Sequence, residues 1–165
     1  MITEKLREID NLISQEIAEY NNLSKLYDDK KYSLIKLDLN SLSEVDNKIN
    51  EQVCIIKNIE EKRKVVDKEL GIENATMSNY LELAQQNSVI IEKNLLNKKT
   101  IFQDLNKKIA NQEKTNIELL KHGMGTTNKL IKIIVDGVMK SSQYNNYGKN
   151  VKDENIGISS IVEEV

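Results

Sequence analysis

From Ile2 the sequence places an apolar residue at alternating steps of four and three through five heptads. The a positions are Leu6, Ile13, Tyr20, Tyr27, Leu34 and Ser41, and the d positions are Ile2, Ile9, Glu16, Leu23, Lys30 and Leu37; nine of these twelve are apolar. A stripe of this period suits a helix that presents one face to neighbouring helices along its whole length. Leu12, Ile17, Leu26 and Ile35 border the seam and widen it toward the face of a bundle. With no proline in 165 residues, nothing forces the helix breaks that proline brings. Aromatic residues make up only 4% of the chain, so the apolar content is carried by Leu, Ile and Val on long amphipathic helices. The expected fold class is all-α.

A second seam follows at Leu42, Val45, Ile49, Gln52, Ile56, Ile59, Arg63, Val66 and Leu70, one residue out of phase with the first. A straight helix drifts about 20° per heptad, so one unbroken helix would accommodate the slip. The turn chemistry points the other way. Ser41-Leu42-Ser43-Glu44 has the form of a capping box, and Asp38 and Asn40 add turn character. We therefore expect an antiparallel hairpin turning at 38–41. Glu16 and Lys30 occupy seam positions; they either snorkel at its edge or pair across the hairpin and fix its register.

Gly71 suits the position just past a helix C-terminus. Residues 72–87 read as a connector with a short helix near Met77–Ala84, capped by Thr76 or Ser78. A third pattern runs Ile91, Leu95, Lys98, Phe102, Leu105, Ile109, Gln112, Asn116, Leu119, Gly123, Thr126, Leu130, Ile133, with eight of thirteen positions apolar and a polar middle. Gly123 and Gly125 each cost about 1 kcal/mol in a helix interior, which predicts bending or fraying at 122–126. Asn116 has the same two readings as Glu16 and Lys30. From Ser141 the apolar period ends. The expected organisation is one helical coiled-coil or bundle domain over 1–140, with helices at about 2–38, 41–70, 76–85 and 88–139, and a disordered tail over 141–165.

The 24 basic and 26 acidic residues are dispersed, giving a net charge of −2 without the basic stripe that nucleic-acid binding requires. Cys54 is the only cysteine, so no intrachain disulfide is expected; within Val53-Cys54-Ile55-Ile56 it reads as a small buried or half-buried side chain. The N-terminus lacks the apolar core of a signal peptide, and the densest apolar run, Leu130 to Val135, is far short of a membrane span. A cytoplasmic location without membrane insertion is expected. No phosphate loop, paired-cysteine metal site or nucleophile–base arrangement occurs, and the single histidine, His122, reads as an exposed residue at a helix end. Neither enzymatic activity nor a cofactor or metal is expected.

Glu16, Tyr20, Leu23, Leu26, Lys30, Lys31, Leu34, Ile35, Asp38 and Leu42, followed by Ile49, Glu51-Gln52, Ile56, Ile59-Glu60 and Arg63, resemble in order and spacing the FlgN-type flagellar export chaperones. Asn116-x-x-Leu119-Leu120 is similar to that family's Asn-x-x-Leu-Leu. Tyr144-Asn-Asn-Tyr147-Gly148 is similar to its tail pattern of Tyr followed four residues later by Gly. The resemblance covers most of residues 1–150. It implies a cytosolic type III export chaperone that binds hook-associated proteins of the hook–filament junction, prevents their premature polymerisation and hands them to the export gate. It also implies that Tyr144 contacts the gate.

An amphipathic client helix needs an apolar groove offering contacts at i, i+3, i+4 and i+7. The under-filled third pattern is the one least expected to be covered by its own chain. Leu119, Leu120, Leu130, Ile131, Ile134 and Val138 are therefore the expected client-binding residues, on a monomer or weak homodimer. The alternative is a coiled-coil scaffold or adaptor that self-associates through the same seams.

Overall fold

The computed structural model describes residues 1–72 and 75–142, the side chains of 137–142 excepted. Four helices follow in order, α1 (Ile2–Lys36), α2 (Leu39–Glu69), α3 (Met77–Asn87) and α4 (Val89–Ser142), with no strand among the described residues. The chain divides into two units, Met1–Lys121 and His122–Val165, and α4 contributes to both.

In the first unit α1 and α2 form the antiparallel hairpin, with a tighter and earlier turn than 38–41. The amides of Leu37 and Asp38 donate back to the carbonyls of Leu34 and Ser33, at 3.3 and 3.1 Å. This Schellman closure puts Leu37 in the left-handed region at φ 55°, a conformation that usually falls to glycine. The chain has therefore already reversed at Asp38, whose Oδ1 accepts from the Ser41 amide at 3.0 Å and caps α2. Ser41 is not the cap; it lies inside α2, its hydroxyl 2.8 Å from that of Ser33.

Every position of the second seam is buried or half-buried, as are most of those in the first. The polar seam residues pair across the hairpin. Arg63 Nε donates to Glu16 Oε1 at 2.7 Å, and Lys30 Nζ lies 2.7 Å from Asp46 Oδ1. Glu16 is held by its partner and does not snorkel. Cys54, by contrast, is exposed; it stands two residues from each of the seam positions Gln52 and Ile56, which turns it outward.

Gly71, at φ 73°, closes α2 with a second Schellman motif. Its amide donates to the Lys68 carbonyl and that of Ile72 to the Asp67 carbonyl, at 3.0 and 2.9 Å. Thr76 caps α3 through Asn79, whose Oδ1 accepts from the Thr76 amide at 2.9 Å and from its hydroxyl at 2.6 Å. Tyr80 and Ala84 of α3 then enter a core formed by Leu6, Ile9, Leu12 and Ile13 of α1, Ile59 and Val66 of α2, and Ile91 and Leu95 of α4.

Within the first unit α4 runs parallel to α1. Lys98 Nζ donates to the Asp10 carbonyl at 2.7 Å, Gln112 Nε2 to the Ser24 carbonyl at 3.0 Å, and Asn116 Nδ2 to the Tyr27 carbonyl at 2.9 Å, the partner numbers rising together. Between these bonds Phe102 meets Tyr20 edge-on, with ring centroids 5.2 Å apart. The polar middle of the third pattern, under-filled by apolar count, is thus covered by its own chain through hydrogen bonds.

A buried polar cluster joins three helices. Arg63 bonds both Glu16 and the Tyr80 hydroxyl (the latter at 3.0 Å), and Tyr80 donates to Asp67 Oδ1 at 2.6 Å. Burial raises the Glu16 carboxyl above its ordinary value although Arg63 pulls it down, and burial with the Asp67 hydrogen bond pushes the Tyr80 phenol up to about 12. Arg63 is the cation that serves this cluster.

Candidate binding surface

The second unit consists, among the described residues, of the helical stretch 122–142. Residues 122–126, where bending or fraying is expected, are all helical, so the helix is not frayed there. Thr126 and Thr127 Oγ1 donate to the His122 and Gly123 carbonyls, both at 3.0 Å, adding a side-chain bond to each of the turns that glycine weakens. His122 is exposed, and it lies within the helix.

Leu130, Ile131 and Ile134 are 55%, 47% and 63% exposed, and Ile133 is 66% exposed. At 3.6 residues per turn, Leu130, Ile131 and Ile134 fall within an arc of about 100°. Lys129, Lys132 and Asp136 occupy the opposite side of the helix by register. Val138 follows Ile134 by four residues in the same helix, and its side chain lies outside the described residues. Tyr144 also lies outside them. An arc of this composition normally faces a core, yet here it is open to solvent.

Leu119 and Leu120 belong to the first unit. Leu119 is half-buried, and Leu120, 42% exposed, stands at the rim of a groove of about 330 Å³ between α1, α2 and α4. Of the six residues expected to bind a client, Leu130, Ile131 and Ile134 share one open helical face of the second unit, and Leu119 and Leu120 belong to the first.

Sequence reasoning did not single out the groove itself or the exposed apolar residues at the hairpin turn, Tyr32, Ile35, Leu37 and Leu39. Asn116 at a seam position was the available signal for the groove. The turn residues gave none, because Ile35 and Leu37 extend the apolar period they interrupt.

The described residues hold no group of His, Cys, Asp and Glu side chains able to bind a metal ion, and no helix among them is long and apolar enough to cross a membrane. No curated protein and no solved structure gives a significant match to the chain. The profile of one family, described as FlgN protein, matches residues 1–152, which spans the hairpin, the connector helix and the whole of α4. Parallel and antiparallel seams in one chain, closed by a helix whose last apolar face is open, are the setting in which that match falls, and the chain belongs to the FlgN protein family, a family of flagellar export chaperones.

Proposed function

We propose that this protein binds hook-associated proteins through the open apolar face of Leu130, Ile131 and Ile134, together with Val138 four residues further along the helix. The face holds their amphipathic terminal helices apart until delivery to the export gate. The observation that carries the reading is the exposure of three aliphatic side chains on one helical arc. Closing the exposed half of a Leu or Ile side chain against a client contributes about 1 kcal/mol. Three such side chains therefore supply about 3 kcal/mol, a hundredfold in affinity. Leu119 and Leu120 of the first unit also contact the client. Tyr144 serves the gate, and the chaperone works in the cytoplasm as a monomer or weak dimer.

The test is Ile131→Glu/Ile134→Glu. Because both side chains are already exposed, the variant keeps wild-type helicity and unfolding midpoint. Its affinity for the C-terminal segment of a hook-associated protein falls at least about thirtyfold, the loss of two such contacts, measured by calorimetry. Unchanged affinity refutes the reading. A wild-type protein that instead forms a stable homo-oligomer through this face, lost in the variant, supports the self-associating scaffold. Tyr144→Ala leaves client affinity intact and abolishes export; loss of client binding in that variant refutes the role given to Tyr144.

A further inference from the structure

The same chain carries, past the open helical face, a sequence patterned like the helix that face is proposed to receive. Ile158, Ile161, Val162 and Val165 follow one another at i, i+3, i+4 and i+7, the spacing by which one helix lays an apolar face on another. Ser159, Ser160, Glu163 and Glu164 fill the positions between them, so in helical register 158–165 has one apolar stripe and a polar remainder. Residues 143–165 lie outside the described residues. An isolated helix of this length is marginal in water, which keeps any contact it makes weak enough to be displaced.

Charge and chain length both favour a meeting of the two. Within 122–142 stand Lys129, Lys132 and Lys140 against a single acidic residue, Asp136. The stretch 153–165 contains Asp153, Glu154, Glu163 and Glu164 and no lysine or arginine. Opposite charges of this kind attract over about 8–10 Å at moderate ionic strength. Ile131 and Ile134 stand about 12–17 Å back along the helix from Ser142. Residues 143–157 extend to about 50 Å at most, so 158–165 can fold back onto the face with length to spare. Face and segment also fall within the same unit of the chain.

We infer that residues 158–165 cover the face of Leu130, Ile131 and Ile134 in the free protein, as a stand-in for the client. Ile158, Ile161, Val162 and Val165 close over the exposed aliphatic side chains, and the acidic residues answer the lysines of the helix. Being tethered, the segment competes at an effective concentration on the order of millimolar. Only a partner that binds more tightly than this loose contact opens the face, and an apolar patch that invites non-specific association stays shielded until then. The competition with client rests on the proposed function; the covering of the face is read without any client present.

The test is methyl NMR of the full-length protein and its Ile161→Glu/Val162→Glu variant, which alters no residue of the four helices. The variant moves the methyls of Ile131 and Ile134, and a peptide of residues 153–165 added in trans returns them toward their wild-type positions. The same peptide carrying the two glutamates has no effect. Affinity of the variant for the C-terminal segment of a hook-associated protein rises about tenfold, as relief of a face that is free only about a tenth of the time requires. Ile131 and Ile134 methyls that are the same in both proteins overturn the inference. Methyl positions that vary with protein concentration assign the face to a second copy and overturn it as well. Methyls that move while client affinity stays constant uphold the covering segment and refute the client site proposed on this face.

Discussion

Replacing Arg63 by methionine isolates the electrostatics of the polar cluster, because methionine keeps the apolar stem and removes the charge and its donors. The Glu16 side chain is 3% exposed and Arg63 21%, so the pair is buried at its acidic end. Removing one partner of such a pair costs about 3–5 kcal/mol, since the remaining charge is left in a poorly solvated site. The residual exposure of Arg63 places this substitution at the low end, about 3 kcal/mol. The loss depends on pH in a defined direction. Burial already raises the Glu16 carboxyl in the folded protein, and without Arg63 it rises further. Between its unfolded value and that raised value the folded state binds more protons than the unfolded state, so stability increases as pH falls. The deficit of Arg63→Met relative to wild type is therefore full at pH above the raised value and shrinks as pH falls through it. Urea unfolding followed by far-UV circular dichroism at neutral and mildly acidic pH measures both effects. Adding Glu16→Gln to Arg63→Met recovers most of the loss at neutral pH and removes its pH dependence. A loss below about 1 kcal/mol that is the same at both pH values refutes the account of a buried carboxylate held by one arginine.

Other substitutions probe separate parts of the structure. Leu37→Gly relieves a left-handed side chain at φ 55° and raises stability by about 1 kcal/mol, seen as a higher urea midpoint. Asn116→Leu removes an unpaired buried acceptor at a seam position and also stabilises, by about 1 kcal/mol in the same assay; destabilisation would mean that its bond to the Tyr27 carbonyl outweighs the orphaned oxygen. Cys54 is exposed, so native protein reacts fully with a thiol reagent without unfolding, whereas slow labelling limited by unfolding would return it to the seam.

The helical seams were legible because period and burial coincide. Leu42 through Leu70 mark the buried side of α2 position by position, and Gly71 marks its end through a conformation that glycine adopts without strain. The hairpin turn was legible only approximately. Asp38-x-x-Ser41 and Ser41-x-x-Glu44 offer competing caps in one sequence, and Leu37 in a glycine conformation leaves no trace in the amino-acid code. The pairing of Glu16 with Arg63 needed the register of the finished hairpin, which two polar residues in separate seams do not define alone. Cys54 was misread by composition, its apolar neighbours outweighing a register that points it away from Gln52 and Ile56. The candidate client face was legible as a pattern, in Leu130, Ile131 and Ile134; its openness was expected from the under-filled middle of that pattern, which is weak ground, since an apolar arc looks the same whether covered or bare. The middle of the same pattern makes the point: Lys98 and Gln112 left it under-filled, Asn116 was open between a seam-edge residue and a pairing one, and all three are bonded to α1.

On the proposed function, the helical stretch from His122 onward receives the client. Amide hydrogen exchange across 122–142, compared with and without a saturating C-terminal segment of a hook-associated protein, addresses it directly. The account predicts that amides around Leu130 to Val138 exchange many-fold more slowly in the complex. Unaltered exchange there, with new protection confined to residues 1–121, would contradict it.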